Sequence, residues 1–320
     1  MLQQIGELIQ QHQTFLIAAH ERPDGDAIGS TLALYNMLRG MGKDAVVYNQ
    51  DSTPENFLFL PGSDLITRKL PPVENFEVAA ILDCGELERI GKEAAQIAKI
   101  TQLVNIDHHV ANGGFCDVCL LDADASSTGE LIFRLARHLE FPLTSEIATC
   151  LYTAIVTDTG GFRYGNTRRD ALLAAAELVE KGANPQWISE NVYESDHPGR
   201  IRLLAMVLPT LTLEEEGRVG SLVVTQKALA EAGALPDHAE GFVDFPRSIR
   251  GVEISLLYSE LVDGRFKISL RSKGKANVER VARFFGGGGH VNAAGFRVSG
   301  ELSEIRRRVS EAIRDCIFNA

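Results

Sequence analysis

Four short stretches of this 320-residue chain carry side chains of the kind that hold cations and activate water. The first is His20-Glu21-Arg22-Pro23-Asp24-Gly25-Asp26, an imidazole and two carboxylates in one loop. Next come Asp83, directly after the apolar run Val78–Leu82, and Asp107-His108-His109, directly after Gln102–Ile106. The last is Asp158, just beyond the amphipathic stretch Ser145–Val156. One acid in such a place caps a helix or closes a turn. Repetition in four successive places goes beyond that use. His20, Asp24, Asp26, Asp83, His108 and Asp158 are more donors than one ion needs, and no cysteine is among them. Mixed imidazole and carboxylate ligands suit Mn2+, with Mg2+, Co2+ or Zn2+ as other occupants. Two divalent cations sharing a carboxylate are the usual device for in-line displacement at phosphorus.

Such a cluster needs a scaffold that brings distant loops to one edge. Thr14–Ala19, Ala45–Tyr48, Val78–Leu82 and Gln102–Ile106 are short, apolar and bounded by polar or turn residues, the pattern of buried strands. Between and after them, Ile28–Arg39, Ser127–His138, Ser145–Val156 and Arg169–Lys181 have helical spacing. Strand–helix alternation predicts an α/β fold: a mainly parallel N-terminal sheet with helices on both faces. Ligands collect beyond the carboxyl ends of strands in such sheets, where the acids and histidines fall.

The pattern changes after Asn184-Pro185. A connecting helix is expected over Arg200–Leu208, and Asp263-Gly264 between two alternating runs predicts a hairpin. The chain therefore divides into a metal-binding domain (1–187), a linker helix or hinge (188–215) and a smaller mixed α/β domain (216–320). The active site is expected in the cleft between the domains. Gly286–Gly289 follows a helical run and precedes a strand, the reverse of a Rossmann or P-loop order. One glycine stops a helix; four allow backbone to approach an anion closely.

Net charge is −11, the wrong sign for a protein that grips long nucleic acid by its phosphates. The last fifty residues, from Arg271, nevertheless hold ten basic against five acidic side chains. No apolar run of about 18 residues predicts a membrane span, and the start lacks a signal-peptide pattern. Five cysteines without a secretory signal predict reduced thiols in a cytoplasmic protein. Cys116 and Cys119 have CxxC spacing with no second pair, so they are expected to line a buried strand.

The order His20-x-x-Pro23-Asp24-x-Asp26-x-x-Gly29-Ser30, Asp83-x-Gly85 with Arg89-Ile90-Gly91, Asp107-His108-His109 and Thr157-Asp158-Thr159-Gly160 resembles the four motifs of the DHH phosphoesterase superfamily. Arg271-Ser272, Asn277 and the segment Phe285-Gly286-Gly287-Gly288-Gly289-His290 through Ala293-Ala294-Gly295-Phe296 resemble its DHH-associated substrate-binding domain. The resemblance implies one cation on His20, Asp24 and Asp83, and a second on Asp26, Asp83, His108 and Asp158. Asp83 would bridge, and hydroxide formed between the cations would attack phosphorus. Asp107 would orient a ligand histidine, and His109 would face the scissile phosphate. Arg271, Gly288, Gly289 and His290 would hold the substrate's terminal phosphate and base.

Within the superfamily, length, layout and the glycine segment are most similar to the nanoRNases. Those enzymes cut very short oligoribonucleotides, including pApA-like dinucleotides, and remove the 3′-phosphate of 3′-phosphoadenosine 5′-phosphate (pAp). A manganese inorganic pyrophosphatase is the alternative, although several basic clamp residues would then be expected in place of Gly288-Gly289-His290. RecJ-type exonucleases and membrane-bound cyclic-dinucleotide phosphodiesterases need further domains. A non-catalytic nucleotide sensor should have lost a metal ligand, and none is lost. Expected partners are short oligoribonucleotides and nucleoside bisphosphates, with no membrane and no long nucleic-acid track; a homodimer stays open.

Overall fold

The computed structural model describes residues 1–109 and 112–318. The chain forms two compact units, Met1–Ser195 and Asp196–Ala320. The stretch 188–215, expected as a linker, is shared between them. Its first part completes a helix of unit one, where Trp187 packs edge-on against Phe59 at 4.9 Å. Leu203 and Val207 lie in an apolar cluster of unit two.

Unit one contains strands β1 (Thr14–Ala18), β2 (Asp44–Tyr48), β3 (Val78–Leu82), β4 (Gln102–Asp107) and β5 (Val118–Leu121). Its helices are α1 (Leu2–Gln11), α2 (Gly25–Gly40), α3 (Ala94–Ile97), α4 (Thr128–His138), α5 (Ser145–Asp158), α6 (Arg169–Glu180) and α7 (Pro185–Tyr193). All strand pairs are parallel, in the order β2-β1-β3-β4-β5. The chain leaves β1 in one direction for β2 and returns on its other side as β3, so the strand order switches between β1 and β3. Alternation within the strands builds two cores. Phe15, Ile17, Ala80, Leu82, Val104 and Ile106 face one side, with Ile28 and Leu32 of α2 and Ile147 and Leu151 of α5. Leu16, Ala18, Ala79, Ile81 and Leu103 face the other, under Ile90, Ile97 and Ile100. Each fully buried Leu or Ile contributes about 1.5–3 kcal/mol over its exposed state.

Unit two contains α8 (Pro198–Val207), β6 (Thr212–Glu214), β7 (Val219–Val224), α9 (Gln226–Ala232), α10 (Asp244–Ser248), β8 (Ile254–Glu260), β9 (Phe266–Ser272), α11 (Val278–Phe284), β10 (Gly288–His290), β11 (Ala293–Val298) and α12 (Leu302–Ile313). Its sheet runs β10-β11-β9-β8-β7-β6, with only β7 and β8 parallel. The Asp263-Gly264 hairpin forms as expected, and Phe266, Ile268 and Leu270 of β9 are buried on one face.

Cys116 and Cys119 depart from expectation. They are joined in a disulfide and half-buried. β5 is the sheet's edge strand, so its side chains are not enclosed on both sides. Cys84 and Cys150 are buried free thiols, and Cys316 is a partly exposed one.

Candidate metal centre

The loop after β1 folds around the entry to α2. Asp24 is the N-cap, its Oδ1 accepting the amides of Asp26 (3.1 Å) and Ala27 (3.0 Å). Capping does not take this carboxylate out of the cluster, because the same oxygen lies 3.8 Å from Nε2 of His20. The His20 ring sits opposite the carbonyl of Glu21, with Nδ1 at 2.8 Å. Donation there directs Nε2 toward Asp24 and toward Oδ2 of Asp83 at 3.4 Å.

Asp83 directly follows β3 with φ 58°, a left-handed backbone that Asp tolerates better than most residues. Its amide donates to the carbonyl of Ile106 at 3.0 Å, holding this turn against β4. The buried carboxylate then divides: Oδ2 faces His20, and Oδ1 lies 3.5 Å from Nε2 of His108. That nitrogen also stands 3.7 Å from Asp26 Oδ2 and 3.8 Å from Asp158 Oδ2. Asp158 is the last residue of α5, so this donor comes from a helix end rather than a strand end.

Three overlapping groups result: His20–Asp24–Asp83, Asp26–His108–Asp158 and Asp83–His108–His109, each with ligand atoms within 4.8 Å of one another. The 3.4–3.8 Å separations exceed a hydrogen bond. Two donors each about 2.1 Å from one cation stand about 3–3.5 Å apart, so the spacing fits ligands that converge on an ion. The charges agree. Burial disfavours a charged imidazole, yet Asp24 and Asp83 bring His20 up to about 10, and Asp83, Asp26 and Asp158 do the same for His108. Burial raises Asp158 to about 6, opposed by His108 and aided by Asp83 and Asp24. Burial and the Asp83 charge push Asp26 well above its ordinary value. Burial opposes ionisation of Asp83, but the protons of His108 and His20 hold it low. Positive charge placed among these acids would relieve their mutual repulsion.

Asp107 is fully buried at the end of β4. It orients His109 rather than His108: Oδ1 meets Nδ1 of His109 at 2.6 Å and accepts its amide at 3.2 Å. That contact raises the His109 pKa against the effect of burial.

Several supporting residues escape sequence reading. Ser127 caps α4, with Oγ accepting the amide of Glu130 at 3.0 Å, while Glu130 Oε2 accepts the amide of Ser126 at 2.8 Å. The next amides, of Thr128 and Gly129, donate to the two oxygens of Asp26 at 2.7 and 2.8 Å. A carboxylate at a helix N-terminus is favoured by unpaired amides and dipole together. Gly129 must be glycine, since a Cβ there would lie 2.4 Å from that of Ala154. Ser127-x-x-Glu130 is a legible capping signal, but its target is not. Asn112 donates to Asp107 Oδ2 and to Asn105 Oδ1, each at 2.8 Å, and Asn105 in turn donates to the carbonyls of Ile81 and Cys84. A polar Asn105 within the apolar run Gln102–Ile106 is the available clue.

The expected substrate residues lie in unit two. Half-buried Arg271 of β9 donates to the carbonyl of Leu270 at 3.0 Å. Packing accounts for two of the four glycines: a Cβ on Gly287 or Gly289 would strike β11 at 2.3 or 2.5 Å. A Cβ on Gly288 would meet nothing within 4 Å. The backbone of His290 closes β10; its side chain lies outside the described residues.

Comparison with known proteins follows this division. Residues 14–155 match the DHH family, N-terminal domain, and residues 220–316 match the DHHA1 domain. The bifunctional oligoribonuclease and PAP phosphatase NrnA of Thermus thermophilus is 35% identical over 308 residues, covering 95% of this chain and 90% of that protein. Its Bacillus subtilis namesake is 26% identical over 290 residues, covering 90% of each. The crystal structure of an exopolyphosphatase-related protein from Bacteroides fragilis superposes with a TM-score of 0.93 at 31% identity, covering 98% of this chain and 95% of the other. No described helix is long and apolar enough to cross a membrane. With DHH and DHHA1 domains in this order and close relatives spanning nearly its whole length, the chain belongs to the DHH family, in the two-domain architecture of the NrnA-type proteins.

Proposed function

We propose that the chain is a cytoplasmic metal-dependent phosphoesterase that hydrolyses very short oligoribonucleotides, nanoRNA and pApA-like dinucleotides, to mononucleotides and dephosphorylates pAp to AMP. The observation that carries this reading is the division of one buried carboxylate, Asp83, between His20 and His108. His20, Asp24 and Asp83 would hold one divalent cation, and Asp26, Asp83, His108 and Asp158 a second, with Mn2+ the best match to the donors and Mg2+ or Co2+ as substitutes. Such cations supply Lewis-acid charge to phosphoryl oxygens and make water nucleophilic near neutral pH.

The chain's own residues do the remaining work. Asp83 sets the spacing of the two groups, and Asp107 holds His109 in one orientation toward charge developing on phosphorus. Arg271 with Gly288, Gly289 and His290 would grip the terminal phosphate, a bidentate role suited to guanidinium. Short substrates fit the charge. An excess of eleven acidic side chains repels a long polyanion, whereas one anchored end suffices for a dinucleotide. The names of the Thermus and Bacillus relatives support the same chemistry.

The test is a product assay under Mn2+ with pAp, a 5′-phosphorylated dinucleotide, a pentamer, an RNA of about two dozen nucleotides, and pyrophosphate side by side. Fastest turnover of the dinucleotide together with release of AMP from pAp is expected. Faster cleavage of the longest RNA, or hydrolysis of pyrophosphate alone, overturns the reading.

A further inference from the structure

We infer that Asn166 is a positioning residue that holds Asp158 in place for one of the two cation groups; the inference rests on the two-cation reading above. Asp158 differs from the other donors. Asp26 is fixed by two backbone amides and Asp83 by a threonine hydroxyl. The Asp158 side chain is 28% exposed at a helix end. Among the described residues, the hydrogen bond to its carboxylate comes from Asn166, whose Nδ2 donates to Oδ2 at 3.1 Å.

The same Nδ2 lies 2.8 Å from the carbonyl of Ser126 and 3.2 Å from that of Asp158. Three acceptors around one nitrogen fix the amide orientation, since a flipped carboxamide would set oxygen against oxygen. Ser126 opens the run whose next amides, Thr128 and Gly129, hold Asp26. Asn166 therefore ties the end of α5 to the start of α4, the two places that set the Asp26–His108–Asp158 group. The His20–Asp24–Asp83 group has no bond to Asn166 among the described residues. Partners that orient ligands commonly alter metal affinity by roughly ten- to a hundredfold.

The experiment is a Mn2+ titration of the full chain, with free Mn2+ read by electron paramagnetic resonance, for wild type, Asn166→Ala and Asn166→Ser. Thermal unfolding of the metal-free forms accompanies it. Two sites are expected in wild type, with one weakened roughly ten- to a hundredfold in Asn166→Ala and the other unchanged. Asn166→Ser keeps a donor and should fall between them. Selective loss at one site is not what general destabilisation produces. If both sites are unchanged, or both weaken equally, the inference fails while the two-cation reading stands. A wild-type chain that takes up no Mn2+ overturns both.

Discussion

The hydroxyl of Thr128 donates to Oδ1 of Asp83 at 3.1 Å, joining residues 45 positions apart in the chain. That oxygen is the one facing His108, so the first residue of α4 helps set the angle at which Asp83 divides. A hydrogen bond to a charged group contributes about 1.5–3 kcal/mol. Thr128→Val keeps the shape and removes the donor. We expect dinucleotide hydrolysis to fall roughly tenfold with the unfolding cooperativity retained. Activity equal to wild type would show that Asp83 is held by its backbone alone.

Asp83→Asn leaves one oxygen for two groups. The expected loss of turnover exceeds the roughly hundredfold upper range seen for residues that only orient ligands. Mn2+ uptake should fall at both sites, because one oxygen of Asp83 faces His20 and the other faces His108. A variant within tenfold of wild type is incompatible with a bridging carboxylate.

Arg271→Ala should behave differently. Arg271 lies on β9, far along the chain from every cation donor. Loss of a charge-assisted phosphate contact predicts a KM increase of roughly ten- to a hundredfold, with kcat nearly kept. A fall in kcat at unchanged KM would place Arg271 in the chemical step instead.

Proton release distinguishes cation binding from simple ion pairing. In the metal-free chain His20 and His108 are raised to about 10 from an ordinary 6.5. Their stabilising contribution is complete below 6.5 and is lost as pH rises through about 10. Cations bind the deprotonated rings, so Mn2+ binding near neutral pH must expel protons, and affinity must rise as the solution is made more basic. Calorimetry in buffers of different ionisation enthalpy measures the release directly. Heats independent of the buffer would contradict it.

Thiol counting checks the edge strand. Of five cysteines, Cys84, Cys150 and Cys316 are free. Denatured, unreduced protein should therefore titrate three thiols, and five after reduction. Five without reductant would show Cys116 and Cys119 to be reduced thiols in solution.

Much of the centre is legible without coordinates, for a local reason. A strand buried on both faces is a short apolar run, and the first polar residue after it must emerge at the sheet's carboxyl edge. Asp83 after Val78–Leu82 and Asp107-His108-His109 after Gln102–Ile106 follow this rule directly. The hairpin at Asp263-Gly264 is similarly local. Asp158 needed more, because a helix carries it to the same place.

Only the tertiary structure decided how those donors are aimed. Asp26 meets amides more than a hundred residues away, Asp83 meets Thr128, and Asp158 meets Asn166 beyond a turn. It also showed that Asp107 serves His109, that Cys116 and Cys119 are paired, and that Gly287 and Gly289 make room for β11. The physical reason is one of range. Burial and strand periodicity write the types of the donors into neighbouring residues, whereas a hydrogen bond that turns a carboxylate can come from anywhere the fold brings within about 3 Å.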